Sequence, residues 1–248
     1  MELRSFGGLG VRLSTLRPGE TARGLVVLMH GFGATGSDLV PLARQIPRPE
    51  GVRFAFPEAP LVLDPMFDAR AWWPIDVAAL EEAMARGEHR DRTQDDSPEL
   101  AGVSQQLEGC LDELQSELGL TAAPLVLGGF SQGAMLACDV AARSQRRLAG
   151  LWVFSGTLLA EPRWRLGFSR RAEIRPVCRV LQSHGRMDPL LAFAHAERLR
   201  ALLEESGLPV TWIPFNGQHE IHGGVLDAAG EFLERVFEGE AGSDGGEG

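Results

Sequence analysis

The chain of 248 residues contains no lysine, only three cysteines, and no apolar run near the about 18 residues that a membrane-crossing helix needs. The last absence excludes a helical span. The N-terminus also lacks the basic start and apolar stretch of a secretory signal, so cytoplasmic residence is the expectation. Without lysine there is no G-K-[ST] phosphate loop. Cys110, Cys138 and Cys178 are odd in number, show no C-x-x-C spacing and sit in apolar or helical runs, which favours buried reduced thiols over a disulfide or zinc set. Positive charge is short as well. The 24 basic against 34 acidic side chains leave −10, whereas a general nucleic-acid binder needs a basic surface to displace counterions. Neutral or cationic small molecules are the easier partners.

What remains is an ordinary globular composition, 44% hydrophobic and 23% charged, at a length that suits one domain over residues 1–237. Short apolar runs bounded by turn residues recur at Leu25–His30, Val52–Phe56, Leu125–Phe130, Leu148–Phe154, Val177–Ser183 and Val210–Phe215. Their continuity suits strands buried on both faces of a mainly parallel sheet. Gly10–Leu16 alternates more and reads as an antiparallel edge strand. Helical patterns fall between the runs, at Ser37–Gln45, Pro98–Leu118, Gln132–Ser144, Leu190–Ser206 and Gly224–Phe237. Strand and helix alternate, which predicts the α/β class: a doubly wound, mainly parallel sheet flanked by helices. Residues 86–97 are dense in charge and read as a solvated loop, with a lid as the alternative, before a helix capped by Ser97. Residues 238–248 form an acidic, Gly-rich tail too polar to pack, expected to be disordered.

The most informative segment joins the apolar run Leu125–Phe130 to a G-x-S-x-G turn, Gly129 to Gly133, and a helix start. Glycines on both sides of Ser131 permit a sharp strand-to-helix turn that lifts the hydroxyl above the sheet, the posture of a nucleophile. A serine hydroxyl needs a base to take its proton and an acid to orient that base. Asp188 follows the strand Val177–Ser183, at the sheet end where ligand-facing residues collect. Two histidines, His219 and His222, follow the strand Val210–Phe215; His219 lies nearer the strand end and is preferred, while His222 reads as the first turn of the last helix. A metal site is disfavoured, since two histidines three apart lack a third ligand at zinc spacing. The remaining histidines divide into surface residues, His89 and His195, and structural ones, His30 and His184. Negative charge on an attacked carbonyl calls for backbone N–H donors, which Gln132 and the glycine-rich loop His30–Gly36 can supply.

With these residues placed, the chain resembles the phospholipase/carboxylesterase family of α/β-hydrolases, which includes bacterial carboxylesterases and acyl-protein thioesterases. The likeness runs from about Leu25 to Phe237, through the HG-x-G loop at His30–Gly33, Phe56–Pro60, Ala71–Asp76, the serine turn, His184-Gly185 with Asp188-Pro189, and Gly217–Ile221. The resemblance implies an α/β-hydrolase fold, Ser131, Asp188 and His219 as the triad, and the N–H groups of Phe32 and Gln132 as an oxyanion hole. It implies a small-molecule ester substrate and no cofactor, and it allows a homodimer. Phe32 stands where the family often has leucine, which would narrow the acyl site. Trp73, Trp72 and Met66 are candidates for the substrate wall, with core packing as the alternative for each. The expected activity is that of a serine carboxylesterase acting on short to medium acyl chains. A thioesterase, lysophospholipase-like hydrolase or acyltransferase with the same machinery is the nearest alternative, and a non-catalytic binding protein on the same scaffold a remote one.

Overall fold

The computed structural model describes residues 1–237; the tail expected to be disordered lies outside the described residues. Strands β1 (Glu2–Phe6), β2 (Leu9–Leu13), β3 (Gly24–Met29), β4 (Val52–Pro57), β7 (Leu125–Phe130), β8 (Gly150–Phe154), β9 (Arg179–Gly185) and β10 (Val210–Phe215) form one sheet. Its order is β1-β2-β4-β3-β7-β8-β9-β10. All pairs from β4 to β10 are parallel, and β2 joins β4 and β1 antiparallel. A separate hairpin pairs β5 (Leu61–Asp64) with β6 (Ala69–Ala71).

Alternation along the central strands explains the two layers. Leu25, Val27 and Met29 of β3 pack on one side with α3 (Pro98–Glu117), α4 (Gln132–Arg143), α5 (Glu161–Arg171) and α6 (Phe193–Glu205). Val26 and Leu28 point to the other side, against α1 (Leu42–Gln45) and α7 (Gly223–Phe237). Every residue of β3 is buried, as a parallel strand covered on both faces requires. Ser97 caps α3 as expected, its Oγ accepting the Leu100 N–H at 3.2 Å, with Pro98 at the first helical position. No helix among the described residues is long and apolar enough to cross a membrane.

Three expectations need correction. Gly10–Leu16 overlaps the antiparallel strand β2, but β1 pairs outside it, so β2 is not the edge. The helix expected from Ser37 to Gln45 shrinks to α1, because Pro41 has no N–H to continue a helix and the preceding residues make turns instead. Helices α2 (Val77–Ala85) and α5 were not foreseen. In α5 only Trp164, Gly167, Phe168 and Arg171 are buried, a stripe too narrow to stand out among four arginines.

The sheet's outer strands are both defended. On β1, Arg4 pairs with Glu117 and with Glu2. On β10, Pro214 takes one N–H out of the strand, which a sheet tolerates at its edge.

Arg171 is 1% exposed and pairs with no carboxylate among the described residues; instead it donates to the carbonyls of Ala141 and Ser144 at the end of α4 and of Arg146 just past it. Burial pushes its pKa down. Because removal would orphan these helix-end carbonyls, Arg171→Leu is expected to cost about 3 kcal/mol in urea unfolding. A loss within about 0.5 kcal/mol would show that water replaces the guanidinium.

Candidate active site

The parallel strands deliver their C-terminal ends to one place. Ser131 follows β7, Asp188 follows β9, His219 follows β10 and Phe32 follows β3. Ser131 has φ 54° and ψ −117°, a left-handed conformation that costs a serine about 1–3 kcal/mol. The surroundings hold it there. Its N–H donates to Phe154 O at 2.9 Å and its carbonyl accepts from Ala134 and Met135, the first turn of α4. A Cβ at Gly129 would lie 2.5 Å from Met29 O and from the Gly133 backbone, and one at Gly133 would overlap Met29 O and His30 O. Only glycine at both positions lets α4 leave the sheet this closely.

Asp188 is 4% exposed and its carboxylate is fully occupied. Oδ1 accepts the N–H groups of Leu190 and Leu191 at 2.8 and 2.9 Å. Oδ2 accepts His219 Nδ1–H at 2.7 Å, while His184 Nε2, hydrogen-bonded to Leu191 O at 2.9 Å, lies 3.2 Å from it. Burial alone pushes the carboxyl's pKa up, but the hydrogen bonds from His184 and His219, the His219 charge and the Leu191 N–H outweigh it and hold Asp188 well below the usual carboxylate range. With Nδ1–H committed to Asp188, His219 keeps Nε2 as its proton-accepting nitrogen when neutral. The loops bearing these residues are tied together by Arg186 N–H to Phe215 O (2.9 Å) and Met187 N–H to Gly217 O (3.0 Å).

Ser131 and His219 line a cavity of about 190 Å³ without a hydrogen bond between them. Its walls are largely apolar: Phe32, Ile75, Leu80, Met135, Leu190 and Leu191. Phe32 and Gln132 both line it, and neither backbone N–H donates to a protein acceptor among the described residues. The Phe130 ring tilts against the His219 ring, with centroids 4.8 Å apart. His222 instead stacks on Phe215, outside the cavity.

The expected substrate wall differs in its parts. Trp72 is a core anchor: it is 1% exposed, its Nε1–H donates to His30 O at 2.8 Å and its backbone N–H to Gln132 Oε1 at 2.9 Å. Met66 is 84% exposed in the β5–β6 turn and does not reach the cavity. Trp73 is buried and lines an adjoining groove with Pro74 and Leu100 rather than the space around Ser131. Gln132 ties this segment to the serine turn through Nε2–H to Trp73 O at 2.8 Å.

Residues 86–97 are mostly exposed, as expected of a solvated loop, but the segment is fastened to the body of the fold. Thr93 is buried and its carbonyl accepts the Glu161 N–H at 2.7 Å, while Asp96 pairs with Arg143 and Arg163, which also hold the buried Asp139. His89, read as a surface residue, is exposed yet donates Nε2–H to Asp188 O at 3.2 Å. Arg90 and Arg92 from this segment line the cavity. The charge density that reads as solvation is spent largely on ion pairs. Cys110, Cys138 and Cys178 are buried free thiols, and burial pushes Cys110 and Cys178 up to about 12 and raises Cys138 further, so none offers a thiolate. No group of three metal-ligating side chains occurs among the described residues.

A sequence profile of the phospholipase/carboxylesterase family matches residues 12–237. Acyl-protein thioesterase 1 of Neurospora crassa is 27% identical over 223 residues, 84% of each chain. Among solved structures, esterase PE8 superposes with a TM-score of 0.72 at 28% identity, covering 92% of this chain and 99% of that one. The Bacillus cereus carboxylesterase does so at 0.65 and 19% identity, covering 92% and 95%. The architecture is the α/β-hydrolase fold.

His30, beneath the Gly31–Phe32 turn, is 2% exposed. Nδ1–H donates to Gly31 O at 2.8 Å and Nε2 accepts the Ala59 N–H at 3.1 Å, a pattern open only to the neutral ring. Burial lowers its pKa, against the opposing pull of the Gly31 carbonyl. The unfolded chain protonates this histidine below about pH 6.5 while the folded chain resists, so its contribution to stability is complete above that pH and is lost as pH falls toward the depressed value. Urea midpoints taken from about pH 8 to about pH 5 are expected to fall less steeply in His30→Gln than in the parent. Equal slopes would refute this account.

Proposed function

The chain belongs to the phospholipase/carboxylesterase family, and from that premise we propose that it is a serine carboxylesterase acting through an acyl-Ser131 intermediate. One observation carries the reading: Ser131, the Asp188-bound His219 and two unspent backbone N–H groups share a single, largely apolar cavity. Ser131 Oγ attacks the ester carbonyl carbon as His219 Nε2 takes the hydroxyl proton. The bond to the alcohol oxygen breaks and the alcohol leaves with that proton. Water, deprotonated by the same imidazole, then attacks the acyl carbon, and the acid departs as Ser131 recovers its proton. Asp188 fixes the ring's tautomer and stabilises the imidazolium without taking a proton itself.

The N–H groups of Phe32 and Gln132 stabilise the oxyanion, commonly the largest single catalytic contribution. The Ser131–His219 contact tightens when substrate fills the cavity, as such contacts do on forming a Michaelis complex. A cavity of about 190 Å³ with Phe32 in its wall favours short to medium acyl chains. No step requires a cofactor. Thioester cleavage is the second reading, favoured by the relatives named acyl-protein thioesterase, and it differs only in the leaving group.

Hydrolysis of p-nitrophenyl esters of increasing acyl length tests the proposal. Ser131→Ala and His219→Ala are each expected to lower kcat by about 10⁴-fold or more. Ester turnover that survives Ser131→Ala undiminished would overturn the mechanism, and thioester rates above ester rates would favour the second reading.

A further inference from the structure

We propose that Arg92, assisted by Arg90, forms a carboxylate-binding subsite beside Ser131, so that the preferred substrates are esters bearing a free carboxylate. This rests on the hydrolase reading for the chemistry and on the cavity alone for the binding.

Arg92 has only 14% of its side chain exposed, yet its guanidinium makes a single hydrogen bond among the described residues, Nε–H to Asp95 Oδ2 at 3.1 Å. Its two terminal nitrogens have no protein acceptor among the described residues and are not sealed in, since neither is among the buried unpartnered atoms. A guanidinium taken largely out of bulk water keeps donors unspent at a cost unless water or a ligand meets them. Here they belong to a residue in the wall of the cavity that holds the nucleophile. Arg90 lines the same wall and reaches Asp95 only at 3.7 Å. Two guanidinium groups therefore share the Asp95 carboxylate, and the terminal nitrogens of Arg92 are not spent on it. A planar carboxylate with two oxygens matches the fork geometry of the guanidinium.

Two other carboxylates, Asp38 and Asp76, line the cavity without pairing to either arginine. Asp76 is engaged as a cap, its Oδ1 accepting the Ala79 N–H at 3.0 Å, and it forms no ion pair with either arginine. Asp38 is absent from the groove that continues past Arg90 and Arg92, and it too pairs with neither. The subsite is also held in place before any ligand arrives, because Thr93, Asp96 and His89 fasten the segment to Glu161, to Arg163 and to the Asp188 carbonyl. Pre-positioned donors lose little ordering entropy on binding. Apolar Ile75, Leu80 and Leu190 in the wall suit a methylene chain joining the ester to the carboxylate.

The test measures binding to Ser131→Ala, where no turnover intervenes, by calorimetry. The probes are monoethyl succinate, glutarate and adipate, each against its neutral primary-amide analogue of the same length, and the phosphonate analogue of the best. At least one carboxylate is expected to bind about tenfold more tightly than its amide. That preference should be lost with Arg92→Gln added, partly kept with Arg92→Lys and reduced with Arg90→Gln. No preference at any length, a preference that survives Arg92→Gln, or tighter binding of the phosphonate would overturn the proposal. Turnover by the parent enzyme is read separately. Turnover of esters without a carboxylate preference sinks the subsite alone, whereas carboxylate-selective binding with no Ser131-dependent turnover sinks the hydrolase reading alone.

Discussion

Backbone packs directly on backbone where α4 leaves the sheet beside β3, and the site's geometry depends on that close approach. Gly129 and Gly133 meet the carbonyls of Met29 and His30 with no space for a β-carbon. The approach fixes the axis of α4, and with it the left-handed turn at Ser131. It also brings the loop after β3 alongside the start of α4, so that Phe32 and Gln132 line one cavity although they are far apart in sequence. The strain at Ser131 is sustained by hydrogen bonds on both sides, to Phe154 O and from Ala134 and Met135.

A second knot forms around Asp188. An isolated carboxylate at this depth would take up a proton, yet three N–H donors converge on it, two from its own loop and one from His219, with His184 alongside. Because the β9 and β10 loops are also joined by main-chain bonds, His219 is held at both its backbone and its ring. The segment 86–97 closes over the same place and touches the Asp188 carbonyl through His89.

Much of this was legible in the sequence, and the limits have physical causes. Buried parallel strands announce themselves as unbroken apolar runs, which is why β3, β7 and β8 fall near their expected positions and why residues just beyond strand ends could be nominated. Ser131, Asp188 and His219 stand just beyond such runs, and the structure brings Asp188 to His219 and His219 to the cavity of Ser131. Trp72 was ambiguous because an indole beside a proline says nothing of whether its N–H meets a carbonyl, as it does at His30 O. Arg90 and Arg92 were hidden because a charged stretch looks the same whether water or Asp95, Arg143 and Arg163 answer its charges. Ion pairing between distant segments leaves no local pattern.

The two defended edges of the sheet bear on how copies of this chain could associate. Joining sheets edge to edge requires a row of free main-chain donors and acceptors on a strand that can lie flat against its twin. On β10 the row is interrupted by Pro214, and on β1 the charged pairs of Arg4 would have to be stripped of solvent against identical charges. A continuous sixteen-stranded sheet across two copies of the eight-stranded one is therefore disfavoured at both ends. Any self-association that the fold supports is pushed onto its helices and loops, where side-chain fit rather than strand pairing would set the symmetry and the affinity.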